Sequence, residues 1–156
     1  MHRKYSFIPG SLGRFIAKNK ISFDYLEVPP EMICRKRDHP GEKFFILTLR
    51  RPGGLILKIP YSQGAKVSHW PNVQGTLEMI ASDAMTYLSN PTVEDYVASF
   101  GEDEDYWENA FEVLKSMTES ARAFLGQEAF DELINMTIQG YELEGDTGWR
   151  RQRTCG

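Results

Sequence analysis

A chain of 156 residues, 41% apolar, 12% aromatic and 26% charged, has the size and composition of one folded domain with its own core, and this excludes a wholly disordered protein. No apolar run approaches the roughly 18 residues that cross a bilayer, and the opening MHRKYSFIPG lacks the apolar core and small-residue cleavage site of a signal peptide. A soluble, cytoplasmic protein is therefore expected. The net charge of −4 divides sharply: residues 1–70 carry thirteen Lys/Arg against five Asp/Glu (+8), residues 71–148 carry only Lys115 and Arg122 against seventeen acids (−15), and residues 149–156 add Arg150, Arg151 and Arg153. Such polarity bears on partners and steering fields rather than on fold.

Residues 11–18 read as a short amphipathic helix, with Ser11 placed to cap it and Leu12, Phe15 and Ile16 at helical spacing. From Ile21 the pattern alternates, putting Ile21, Phe23, Tyr25 and Glu27 on one side until Pro29-Pro30 stops the strand. Residues 43–50 (KFFILTLR) and 55–61 (LILKIPY) flank Arg51-Pro52-Gly53-Gly54 and predict a β-hairpin. In its second arm Leu55, Leu57, Ile59 and Tyr61 share the core face, and Pro60 marks an edge. Residues 62–72 read as a loop.

The period then becomes helical. Residues 73–88 place Leu77, Ile80, Ala81, Ala84, Tyr87 and Leu88 on one stripe that ends at Ser89-Asn90-Pro91. Residues 92–100 form a shorter helix, with Thr92 and Asp95 spaced as a capping box and Gly101 as its stop. The longest helix spans 104–125, with Trp107, Ala110, Leu114, Met117, Ala121 and Phe124 as its apolar stripe. On the opposite face Asp105, Glu108, Glu112 and Glu119 cluster with only Lys115 among them, which predicts an exposed acidic ridge. Gly126 separates it from a helix over 127–138, with Phe130, Leu133, Ile134 and Ile138 inward and Gly140 as its stop. The architecture expected is α+β: a small antiparallel sheet of about three strands in the N-terminal half, packed with a C-terminal bundle of about four helices. These form one domain over 1–148 with a flexible basic tail over 149–156.

Catalysis needs a nucleophile and base at a spacing that pairs them, and no G-x-S-x-G, H-E-x-x-H, Walker or dinucleotide pattern is present. His2, His39 and His69 read as incidental, and Cys34 and Cys155 as reduced thiols. Cys34 and His39 together fall short of the four ligands of a structural zinc site. No catalytic residue, metal or cofactor is expected, and the chain reads as a binding protein rather than an enzyme. The run Glu102-Asp103-Glu104-Asp105 lacks the ligand pattern of a calcium loop and suits a helix start, where acids favour the dipole.

Two charged sets remain. Arg35, Lys36 and Arg37, with Lys43, Arg50 and Arg51, make either a solvated loop or a phosphate-contacting surface, although no aromatic-interleaved RNA-binding signature accompanies them. The same bases suit docking against the acidic half of a second copy in a head-to-tail homodimer. The acids Glu102, Asp103, Glu104, Asp105, Glu108, Glu112 and Glu119 form either an ordinary solvated face or a partner-binding ridge. The near absence of compensating Lys and Arg over almost eighty residues favours the ridge. Its potential has the sign of a phosphate backbone, so a basic nucleic-acid channel would accept it in the manner of a DNA mimic.

The helical half also resembles a loose family of small phage and mobile-element proteins. The resemblance rests on Ala81-Ser82-Asp83-Ala84, on Val93-Glu94-Asp95-Tyr96 with Gly101-Glu102-Asp103, and on Phe124-Leu125-Gly126, and covers about residues 77–134. It implies an anti-CRISPR or anti-restriction role, with a host defence complex as the partner.

Overall fold

The computed structural model describes the backbone of residue 7 and of residues 10–32, 42–63, 70–100 and 104–143, and side chains over 10–29, 31–32, 42–63, 70–98 and 107–137. Helix α1 (Ser11–Lys18) buries Leu12 and Phe15, as its spacing predicts. Its cap differs from expectation. Gly10, at φ 83° and ψ −11°, is the N-cap residue, and no side chain caps the helix. Its carbonyl accepts from the Arg14 N–H at 3.1 Å, so Ser11 already lies inside the first turn and its Oγ is buried without a partner. The other end closes with the Lys20 N–H on the Ala17 carbonyl (3.3 Å) and the Ile21 N–H on the Ile16 carbonyl (3.1 Å). This double closure requires a left-handed residue, and Lys20 supplies it at φ 54° without being glycine.

Three antiparallel strands follow in the order β1 (Ser22–Glu27), β2 (Lys43–Arg51) and β3 (Leu55–Gln63). A short 3-10 turn, Pro30–Met32, follows β1. The hairpin turns at Pro52-Gly53-Gly54, where Gly53 (φ 92°) and Gly54 (φ 79°) adopt positive φ that side chains resist. The register pairs Tyr25 with Leu47 and Leu47 with Ile59, which sends the odd-numbered residues of all three strands to one face. On that face Phe45, Leu47, Leu49, Leu57 and Ile59 are buried. β3 runs two residues beyond the predicted arm, and Pro60 lies on this edge strand, where the missing N–H leaves no gap in the ladder. Ile21 is buried but precedes β1, and Leu55, at the hairpin tip, stays largely exposed.

Helix α2 (Val73–Ser89) starts at Asn72, whose side-chain oxygen accepts from the Gly75 N–H at 2.7 Å. α3 (Val93–Phe100) starts at Thr92, whose Oγ1 accepts from the Asp95 N–H at 3.2 Å, one half of the predicted capping box. Gly101, read as its stop, is outside the described residues. α4 (Glu104–Leu125) and α5 (Gln127–Leu143) meet at Gly126, φ 84°. α5 runs past Gly140, against the expected stop, because one glycine in helical φ/ψ costs only about 1 kcal/mol relative to alanine and breaks no backbone bond.

The main core joins α1, the odd face of the sheet, α2, the last turns of α4, and α5. A second cluster, Tyr96, Phe111 and Leu114 with Tyr87, Val93, Trp107 and Ala110, holds α3 against α2 and the first turns of α4. α4 therefore serves two cores. Its fully buried line is Phe111, Leu114, Thr118, Ala121, Phe124 and Leu125, while Trp107, Ala110 and Met117 of the predicted stripe are half-buried flanks. A helix packed on several neighbours buries a wider arc than a single stripe.

A candidate acidic interface on the helical layer

Glu108, Glu112 and Glu119 are all exposed. At 100° and 1.5 Å per residue they span about 40° of arc and roughly 16 Å of helix. Among the described residues none of the three makes a hydrogen bond or ion pair. Lys115, half-buried, lies about 20° outside that arc, on the Glu108 side. Glu104 and Asp105 form the first two positions of α4, next to the ridge along the helix and at the end where the macrodipole favours acids. Glu102 and Asp103 lie outside the described residues. Glu94, Asp95, Glu128 and Asp131 add exposed carboxylates on α3 and α5.

Little within the helical half offsets this charge. Arg122 is turned inward: its guanidinium carbon sits 4.9 Å over the Phe130 ring, and its Nε is buried without a partner. Compensation comes instead from the N-terminal half at one corner. Lys18 Nζ lies 2.7 Å from Glu132 Oε2. That hydrogen bond, then the charge of Glu132 and to a lesser degree that of Glu128, holds the ammonium above the ordinary lysine pKa against a small opposing desolvation.

The described members of the basic set do not share one face. Arg50 and Arg51 are consecutive in β2 and point to opposite faces. Arg50 is exposed, whereas Arg51 reaches over the odd face and donates from Nη1 to the carbonyls of Phe124 (2.8 Å) and Leu125 (2.5 Å). Its Nε reaches the Asn19 carbonyl at 3.4 Å. Arg51 is thus withdrawn from any phosphate-contacting surface, because the last carbonyls of α4 lack helical partners and take up a cation. A shallow recess of about 330 Å³ at this corner is lined by Lys18, Asn19, Arg51, Leu125, Glu128 and Glu132. Both of its cations are already engaged by the fold, which removes them as ligands for an added anion. Arg35, Lys36 and Arg37, like His2, His39, His69, Cys34, Cys155 and the tail 149–156, lie outside the described residues.

A feature that the sequence did not announce stands at the far end of the sheet. Trp70, 54% exposed, stacks on Tyr25 (ring centroids 6.2 Å apart, planes at 22°) and meets the edge of buried Phe45. Lys43 Nζ lies 4.8 Å from the Trp70 ring centre. Residues 25 and 45 share the odd-numbered face as diagonal neighbours, since the direct pairs are Tyr25 with Leu47 and Glu27 with Phe45. Trp70 arrives from the predicted loop, where no periodicity places it.

Among the described residues no group of three or more His, Cys, Asp or Glu is arranged to hold a metal ion, and no helix is long and apolar enough to cross a membrane. No family model matches the chain, and neither the curated proteins nor the solved structures contain a match.

Proposed function

We propose that this protein is a non-enzymatic inhibitor of phage or mobile-element type, which binds a host nucleic-acid-handling defence complex by setting the acidic face of α4 against a basic nucleic-acid-binding surface. One observation carries the reading: Glu108, Glu112 and Glu119 are exposed, aligned and unengaged among the described residues, while Arg122 is tucked over Phe130. A ridge of carboxylates about 16 Å long, with a single lysine beside it, follows a groove built for phosphates better than it follows a neutral surface. The ridge also leaves the fold undisturbed if reversed, since exposed ridge residues contribute little to stability.

The test is an affinity pull-down from a bacterial lysate containing a CRISPR effector, comparing wild type with Glu108→Lys/Glu112→Lys/Glu119→Lys. Wild type is expected to retain the effector at low salt and to lose it as the Debye length falls from about 10 Å at 0.1 M to about 3 Å at 1 M. The folded triple variant is expected not to retain it. Equal retention of both proteins sinks the ridge; retention by neither removes this target.

The second reading is a nucleic-acid-binding accessory protein that works through the basic half. The Trp70–Tyr25 stack with Lys43 favours it, because exposed aromatics beside a cation are the elements on which single-stranded bases stack. Fluorescence anisotropy with a labelled single-stranded oligonucleotide separates the two. Binding that is lost in Trp70→Ala supports this reading, and no binding at physiological salt dismisses it.

A further inference from the structure

The even-numbered face of the sheet, opposite the helices, carries an apolar band of its own. Leu26, Ile46 and Pro60 stand in one register row across all three strands, and Leu26 is 67% exposed. Ile56, 52% exposed, lies two rows towards the hairpin tip, beside Arg50. None of these residues belongs to either core cluster. Between them runs the row Asp24, Thr48, Lys58, with the acid on one edge strand and the base on the other. Among the described residues Lys58 makes no ion pair.

Each edge of the sheet carries one device against strand addition. The Val28 N–H donates to the Phe44 carbonyl at 2.7 Å, so even-numbered residues of β1 turn their N–H groups towards β2 and odd-numbered ones turn them outward. On that outer edge Asp24 Oδ1 accepts the Tyr25 N–H at 2.8 Å. By the same alternation the outer edge of β3 includes Pro60, which has no N–H. Both are devices that blunt an edge. The face carries no such device.

We infer that this face is a self-association surface and that its partner is a second copy of the same chain, related by a two-fold axis parallel to β2. Such an axis lays β1 of each copy over β3 of the other, so every row meets its own reverse. Ile46 then packs on Ile46, Leu26 on Pro60, and Asp24 of each copy faces Lys58 of the other, giving two ion pairs. A two-fold axis across the strands through the same charged row superposes Asp24 on Asp24 and Lys58 on Lys58, which like-charge repulsion forbids. The charge arrangement therefore selects the orientation. One repulsive contact remains, Arg50 against Arg50 near the axis at the hairpin end.

Three strands at about 4.8 Å spacing and seven residues at about 3.4 Å give a footprint of roughly 350 Å² per copy. That is about half the ~800 Å² per partner of a stable complex, so the dimer is weak and reversible, with a dissociation constant on the order of 100 μM. The surface lies on the opposite side of the sheet from the helices and is independent of the acidic-ridge reading.

Sedimentation equilibrium of the full chain across that concentration range tests it, with circular dichroism verifying that each variant is folded. Wild type is expected to dimerise and Ile46→Lys to be monomeric. Asp24→Lys and Lys58→Asp are each expected to weaken the dimer about tenfold, and the double exchange Asp24→Lys/Lys58→Asp to restore it. Arg50→Ser is expected to tighten it. A wild type that stays monomeric overturns the inference, as does a dimer indifferent to Ile46→Lys or not rescued by the double exchange. A dimer abolished by Glu108→Lys/Glu112→Lys/Glu119→Lys but kept by Ile46→Lys overturns it too, in favour of head-to-tail docking of the basic half on the acidic one.

Discussion

Replacing Arg51 with methionine keeps most of the aliphatic stem and removes the guanidinium, which isolates what that group contributes. Its Nη1 serves the carbonyls of Phe124 and Leu125, and its Nε approaches that of Asn19, so one side chain ties the hairpin to the α4–α5 corner and to the end of α1. Hydrogen bonds from a charged group contribute about 1.5–3 kcal/mol each. Sharing one nitrogen between two carbonyls keeps the total near the lower bound for two such bonds, and a cation at a helix C-terminus adds about 0.3–1 kcal/mol. Arg51→Met is therefore expected to cost about 3 kcal/mol, a large share of the roughly 10 kcal/mol that stabilises a domain of this size. Urea denaturation should show a lower midpoint at unchanged slope, and the melting temperature should fall by about 6–12 °C. Arg51→Lys should fall between, since one ammonium cannot reproduce the fork. The neighbouring Arg50→Met is the control: exposed on the other face, it should change stability by less than about 0.5 kcal/mol. If Arg51→Met costs no more than Arg50→Met, the capping role assigned to Arg51 is wrong and its place in the phosphate-contacting set reopens.

Three further outcomes are expected. Thr118 is fully buried with its Oγ1 unpartnered, whereas Thr76, Thr86 and Thr137 each donate to a carbonyl four residues back, so Thr118→Val should stabilise the fold by about 1–2 kcal/mol. A loss of stability in chemical denaturation would mean that the hydroxyl has a partner, such as a buried water. Lys20→Gly should stabilise by about 0.5–1 kcal/mol by removing the strain of a left-handed non-glycine residue; Lys20→Ala should give no gain, and equal effects of the two would refute that cause. Lys18 is held above its ordinary pKa in the folded state, so its pairing with Glu132 contributes fully below the unfolded lysine pKa and is lost as pH rises through the higher folded value. The difference in melting temperature between wild type and Lys18→Met should therefore shrink on that alkaline side, and a difference that persists there assigns the effect to packing instead.

The order of the elements, the hairpin, the break at Ser89-Asn90-Pro91 and the limits of α4 were legible in the sequence, because alternation, helical spacing, proline and glycine are local signals. The exposed face of α4 was legible for the same reason: a long amphipathic helix declares its polar side through its own periodicity. What only the tertiary structure decided were the matters of partnership. Arg50 and Arg51 read as one basic pair until the register sent them to opposite faces. The buried line of α4 moved to Phe111 and Thr118 because the helix packs into two cores at once, and Trp70 met Tyr25 and Lys43 across a loop that carries no period. Local sequence specifies which backbone bonds a segment makes with itself; where a side chain's charge or ring is satisfied depends on groups distant in the chain, and only folding brings those together.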